Sequence, residues 1–255
     1  MADQAATPTE TSPAKERHGL GRMVLISAVL AAIVSAGIVA GAYALRQRSS
    51  NALLLRPSGV PRDVSTNIAN LMALSPVPKK AAPGFTLVDQ NDHVASMASM
   101  RGKVVVLEFM DPHCVDICPI VAQEFVDAYH DLGKLASRVV FAAVNVNPYH
   151  HSVASVAAFS KEHGLNQIPS WHFFTGPVPQ LRRIWHNYGI TVVARGRNAD
   201  VEHSSLVYFI SPTGVERFLA APSVDHHANG KSFLPPDQLS SWGQGIAAVS
   251  RDLMG

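Results

Sequence analysis

The 255-residue sequence is poor in cysteine and in net charge. It contains two cysteines, and its 21 Lys and Arg against 19 Asp and Glu leave a formal charge of +2. Two cysteines are too few for the disulfide framework of a small secreted fold, so the pair is more typical of a redox or metal site. No basic segment alternates with aromatic residues, which argues against a nucleic-acid partner.

Both cysteines, Cys114 and Cys118, lie in the segment 111–119, whose sequence is DPHCVDICP. The apolar run Lys103–Phe109 predicts a buried strand before this segment, and apolar residues at helical spacing predict a helix from Pro119 onward. The cysteines are therefore expected on a strand-to-helix turn. The partial positive charge of a helix N-terminus favours thiolate over thiol, so at least one thiol should have a lowered pKa.

The spacing of the cysteines leaves the chemistry of the pair open. Residues four apart in a helical turn have Cα atoms roughly 6 Å apart, which suits either a disulfide or two sulfurs on one metal ion. As a redox-active catalytic pair, Cys114 is predicted to attack as the more exposed nucleophile and Cys118 to resolve. As a metal site, two thiolates need at least one further ligand, such as an imidazole.

The N-terminal part predicts a membrane anchor. Residues 1–22 are polar and are predicted to be a disordered tail. Residues 23–45 carry no charge, and at about 1.5 Å per residue they can cross a hydrocarbon core of about 30 Å. We interpret them as a single transmembrane signal anchor, with a cleavable signal peptide as the alternative because Ala42-Tyr43-Ala44 resembles a cleavage site. Residues 46–82 are predicted to form a stalk.

Residues 83–255 predict one folded domain of alternating strands and helices. After the cysteine turn and its helix, the apolar patterns predict these elements: strand Val139–Val146, helix Ser152–His163, strand Trp171–Phe174, helix Val178–Tyr188, strand His203–Ile210, hairpin partner Val215–Leu219 and helix Asp237–Leu253. A hairpin within Phe85–Ala95 precedes them. The order predicts an α/β, thioredoxin-like fold with an N-terminal hairpin extension, preceded by a single transmembrane helix.

Three segments resemble the SCO/SenC family of membrane-anchored, thioredoxin-fold proteins. The CxxxC turn is similar to the family's Cys-Pro-Asp-Ile-Cys-Pro, Trp171–Gly176 to its Trp and Thr-Gly segment, and Glu202-His203-Ser204 to its Asp-His-Ser/Thr strand. The resemblance runs from about Pro83 to the C-terminal helix. Val115, Glu202 and Asn147 stand where the family usually has Pro, Asp and Asp, and none of these departures removes a ligand.

The resemblance implies a copper site made by Cys114, Cys118 and His203. It implies a metallochaperone that delivers copper to, or prepares, the dinuclear copper site of a cytochrome c oxidase subunit. The partner would be that subunit or another extracytoplasmic copper or thiol protein, and the domain would lie on the periplasmic or equivalent side of the membrane. Thiolates suit Cu(I), and thiolates with an imidazole can also hold Cu(II). Zinc accepts the same ligands, so the resemblance alone favours copper.

A thiol-disulfide oxidoreductase acting on a partner's cysteines is the competing hypothesis. Enzymes of that kind with this fold place a substrate-binding proline near the histidine position, but the segment 199–206 contains no proline. This absence favours metal binding. The roles of five further histidines stay open between solvated loop residues and additional metal donors: His113, His150, His151, His226 and His227.

Overall fold

The structure is a computed structural model, and it describes residues 56–255 together with Gly37 and Gly41. Apart from these two glycines, the predicted tail at 1–22, the predicted anchor at 23–45 and the first part of the predicted stalk lie outside the described residues. Within the part that is described, no helix combines the length and the apolar character that a membrane span requires.

A six-stranded mixed sheet forms the centre of the folded unit. Its strands, in spatial order, are β1 (Ser75–Ala81), β10 (Val215–Ala220), β9 (Val207–Ile210), β4 (Val104–Met110), β5 (Val139–Asn145) and β6 (Trp171–Phe174). The pairs β4–β5 and β5–β6 are parallel, and the other three pairs are antiparallel. Every residue of β4 and β5 is buried, as their near-continuous apolar sequences predict for strands covered on both faces.

Helices cover both faces of the sheet. In the described residues they are α1 (Thr66–Leu71), α2 (Ile117–Leu132), α3 (Val153–Glu162), α4 (Val178–Tyr188) and α5 (Pro236–Met254). One core lies between the sheet and α2 with α5, and it contains Phe125, Phe209 and Trp242. The other contains Trp185 and Tyr188 of α4. Except for the predicted strand His203–Ile210, the predicted helices and sheet strands are present. The unit β4-α2-β5 followed by β9, β10 and α5 has the predicted thioredoxin-like arrangement.

Three small antiparallel hairpins lie outside the central sheet. They are β2 (Thr86–Val88) with β3 (Val94–Ser96), β7 (Val192–Ala194) with β8 (Val201–His203), and β11 (Asp225–His226) with β12 (Ser232–Phe233). The first is the N-terminal hairpin that the sequence predicts. The other two hairpins were not predicted, and both lie next to the cysteine turn.

The prediction that the folded domain begins near Pro83 is wrong. In the structure α1 and β1 belong to the folded unit: Val64, Met72 and Leu74 lie in the core, and β1 pairs with β10. The sequence pattern does not predict β1, because this strand contains two prolines and its side chains are largely exposed. Both features are tolerated at the edge of a sheet, where one side of the strand has no partner.

The predicted strand His203–Ile210 is two separate strands. β8 ends at His203, and the central strand β9 begins only at Val207. Between them the amide of Ser204 donates to Thr191 O at 3.1 Å, and the amide of Thr191 donates to Ser204 Oγ at 3.2 Å. These bonds hold Ser204 to the segment before β7, so His203 is carried by a hairpin and not by the central sheet.

Candidate metal and redox site

The reactive turn, residues 111–118, connects the end of β4 to α2. Asp111 is buried, and its Oδ1 accepts from the amide of His113 at 2.8 Å and from Asn147 Nδ2 at 2.9 Å. The amide of Cys114 donates to Asp111 O at 3.1 Å. Because α2 begins at Ile117, Cys114 lies just before the helix and Cys118 lies in its first turn. This confirms the predicted strand-to-helix position of the pair.

The two cysteines are free thiols with unequal environments. Cys114 is partly exposed, whereas Cys118 is 2% exposed. The amide of Cys118 donates to Cys114 Sγ at 3.5 Å. A hydrogen bond from the Cys118 thiol lowers the pKa of Cys114 to about 7. The same hydrogen bond, together with burial, raises the pKa of Cys118 well above its ordinary value. One lowered thiol pKa is confirmed, although its largest cause is the neighbouring thiol and not the helix terminus.

His203 is the last residue of β8, and it is partly buried. Its Nδ1 lies 3.0 Å from Ser204 O. A carbonyl oxygen only accepts, so Nδ1 carries the proton and Nε2 keeps its lone pair. Burial lowers the pKa of His203, which favours the neutral ring. A hydrogen bond from the second ring nitrogen is the usual way in which proteins orient a metal-binding imidazole.

Cys114 and His203 line one cavity of about 420 Å³ at the reactive turn. Four carboxylate residues also line it: Asp111, Asp116, Asp200 and Glu202. The fold therefore brings the predicted histidine to the cavity of the predicted nucleophile. It does not assemble a finished ligand set, because among residues 56–255 no group of three or more His, Cys, Asp or Glu side chains is arranged to hold a metal ion. The three ligands remain a prediction.

The hairpin β11–β12 is attached to the reactive turn through Asp116. The carboxylate of Asp116 accepts a hydrogen bond from Ser232 Oγ, and its Oδ1 lies 3.4 Å from His226 Nε2. Asp116 occupies the N-cap position of α2 but makes no capping bond with its side chain. The Asp116 side chain therefore binds the hairpin β11–β12, which the sequence did not predict, to the reactive turn.

Sequence reasoning also missed two buried carboxyl groups that lie close enough to repel each other. Glu108 lies in β4 and Glu124 in α2, and both are buried. Ser205 Oγ donates to Glu108 Oε1 at 3.1 Å, whereas the other three carboxyl oxygens have no partner among the described residues. Burial raises the pKa of Glu108 to about 8 and that of Glu124 well above its usual range. A glutamate inside the otherwise apolar run of β4 was the signal that could have revealed the pair.

Comparisons with known proteins agree with the fold. The SCO1/SenC family model matches residues 75–227, more than half of the chain. The mitochondrial SCO2 homologue of Bos taurus is 28% identical over 148 residues, which are 54% of this chain and 53% of that protein. The chain thus spans about half the length of the curated relatives it matches.

Solved structures of similar fold include two Sco proteins. Bradyrhizobium japonicum ScoI with copper bound has a TM-score of 0.53 at 21% identity, over 68% of this chain and 99% of that chain. BsSco, described as having a disulfide switch and as a member of the Sco family of cytochrome c oxidase assembly proteins, has a TM-score of 0.50 at 21% identity. That match covers 68% of this chain and 96% of BsSco. At these identities the similarity establishes the thioredoxin-like fold.

Proposed function

Because the chain belongs to the SCO1/SenC family, we propose that it binds copper through Cys114, Cys118 and His203. It delivers this copper to, or prepares, the dinuclear copper site of a cytochrome c oxidase subunit. Residues 23–45 anchor it in the membrane, with the folded unit on the extracytoplasmic side. The observation that carries the proposal is the shared cavity, which contains Cys114 and His203 from distant parts of the chain. The copper-bound ScoI structure and the description of BsSco support it.

The donor atoms fit copper as a cargo. With a pKa of about 7, Cys114 is a thiolate in a large fraction of molecules at neutral pH, and soft thiolates suit Cu(I). The neutral imidazole of His203 offers Nε2, which also suits Cu(II). Cys118 loses its proton when it binds the ion, since only the thiolate is a ligand. Loading requires the three side chains to approach one another, because no three such side chains among the described residues are already arranged to hold an ion.

A thiol-disulfide oxidoreductase is the second candidate, favoured by the unequal thiols. The Cys114 thiolate would attack a disulfide of a partner protein, which gives a mixed disulfide and releases one partner thiol. Cys118, after losing its proton, would then attack Cys114 Sγ. The partner leaves with both cysteines reduced, and the Cys114–Cys118 disulfide remains. Such a cycle needs no metal and no imidazole from His203.

Replacement of His203 separates the two functions. In the reduced full-length protein, we expect His203→Ala to weaken Cu(I) binding by about 100-fold or more, because loss of a direct ligand exceeds the 10- to 100-fold effect of removing a supporting contact. Competition with a Cu(I) chelator measures this. The rate at which the dithiol reduces a model disulfide should change by less than about threefold. His186→Ala, at an exposed histidine of α4, is the matched control.

The proposal fails if His203→Ala binds Cu(I) as tightly as the unaltered protein. An unchanged copper affinity combined with an unchanged rate of disulfide reduction would support the oxidoreductase. Circular dichroism of each variant shows whether it has kept its fold.

A further inference from the structure

An imidazole of the reactive turn stacks on a second imidazole, outside the cavity of Cys114 and His203. His113 directly precedes Cys114, and His150 follows β5. Their ring centroids are 3.6 Å apart, with 28° between the ring planes. Both rings line a separate cavity of about 360 Å³. Asp111 and Asp200 line this cavity and that of Cys114 alike, so the two cavities adjoin.

A buried pair of polar side chains positions both histidines. Asp111 and Asn147 are 4% and 3% exposed, and they are joined by the 2.9 Å bond from Asn147 Nδ2 to Asp111 Oδ1. The same Asp111 Oδ1 accepts from the amide of His113, while Asn147 Oδ1 accepts from the amide of His150 at 3.0 Å. One bridge between the ends of β4 and β5 therefore sets the backbone position of both histidines, as expected of a preorganised site.

The ring of His150 is held with one nitrogen free. Its Nε2 lies 3.1 Å from Arg197 O, and since a carbonyl only accepts, Nε2 carries the proton and Nδ1 keeps a lone pair. Among the described residues, neither Nδ1 of His150 nor either ring nitrogen of His113 has a hydrogen-bond partner. Two imidazoles with unused lone pairs are suited to a cation that prefers nitrogen. The carboxylates of Asp111 and Asp200 line the same cavity, and so does Arg197, whose guanidinium donates to Tyr149 O at 3.0 Å.

We infer that His113 and His150 form a second metal site, which takes a divalent transition-metal ion of the Cu(II) class. Imidazole is a preferred ligand of Cu(II), Ni(II) and Zn(II), whereas it suits neither Mg(II) nor Ca(II). Rotation of one ring out of the stacked arrangement directs both lone pairs toward a single ion. Water fills the remaining positions, since no set of three or more His, Cys, Asp and Glu donors exists in this part of the described chain. The site does not use the thiols.

The test uses a full-length protein in which the predicted thiol site is removed by Cys114→Ser, Cys118→Ser and His203→Ala. Cu(II) is added, and electron paramagnetic resonance with pulsed detection of nitrogen couplings follows its binding. We expect one Cu(II) ion coupled to two imidazoles. In the same background His113→Phe, which keeps an aromatic ring in the stack but removes both nitrogens, should weaken binding at least tenfold and leave one imidazole coupled.

His186→Gln is the matched control, and it should leave the Cu(II) spectrum and affinity unchanged. The inference is overturned if the background protein binds no Cu(II), or if His113→Phe and His150→Gln both leave affinity and nitrogen couplings as they were. Unchanged affinity and couplings in both variants would assign the ion to other histidines. Because Cu(I) binding by the thiols is measured in a different protein, failure of either site leaves the result for the other intact.

Discussion

The two cysteines are chemically different because one thiol donates a hydrogen bond to the other sulfur. That bond stabilises the Cys114 thiolate, and it makes deprotonation of Cys118 more costly. Cys114 is also the more exposed of the two. The residue that a partner or a metal ion meets first is therefore the one that is about half ionised at neutral pH.

Alkylation of the reduced protein by iodoacetamide should show this difference. We expect the rate at Cys114 to rise with pH and to reach half of its maximum near pH 7, because only the thiolate reacts and the pKa of Cys114 is about 7. Cys118 should react far more slowly across the same range. Peptide mass spectrometry at successive times distinguishes the two sites.

In Cys118→Ala, the Cys114 midpoint should move upward by about one pH unit or more, since the thiol that donates the hydrogen bond is gone. An unchanged midpoint would contradict this account and would point to the helix terminus as the cause.

At the scale of elements, the edge of the sheet matters most for the stability of the folded unit. β1 covers the outer side of β10, and the segment between α1 and β1 places Met72 and Leu74 in the core. These elements precede Pro83, the position at which the sequence pattern predicts the start of the domain. They are part of the fold, although their sequence does not resemble that of a buried element.

A protein shortened to begin at Pro83 should therefore be markedly less stable than one that begins at Arg56. We expect the free energy of unfolding to fall by about 4 kcal/mol or more, because several fully buried side chains are removed and each such loss costs roughly 2–5 kcal/mol. Urea unfolding followed by tryptophan fluorescence compares the two proteins. Equal unfolding midpoints would show that β1 and α1 contribute nothing to the core.

For the whole molecule, the buried carboxyl groups make stability depend on pH. The pKa of Glu108 is raised to about 8 by burial, so the folded state keeps a proton that the unfolded chain loses near pH 4.5. The contribution of Glu108 to the free energy of unfolding is fully present below about pH 4.5, and it is lost as the pH rises through about 8. Glu124 has the same sign, since burial raises its pKa too.

Glu108→Gln should reduce this dependence. We expect the free energy of unfolding of the unaltered protein to fall by about 2 kcal/mol or more between pH 5 and pH 8, and that of the variant to fall less. Urea unfolding at four pH values in this range measures both. Glu162→Gln, at an exposed position of α3, is the control and should follow the unaltered protein. Parallel curves for Glu108→Gln and the unaltered protein would disprove the role of Glu108.

Sequence patterns were sufficient to predict the α/β order, the strand-to-helix turn of Cys114 and Cys118, and the resemblance that the family match confirms. Those features depend on local periodicity and on residues close together in the chain, which a pattern can reveal. Three features became apparent only in three dimensions: β1 completes the sheet edge, His203 lies in a hairpin, and His113 stacks on His150. These features depend on contacts between segments that are distant in the chain. Such contacts produce no periodic pattern of apolar residues in either segment.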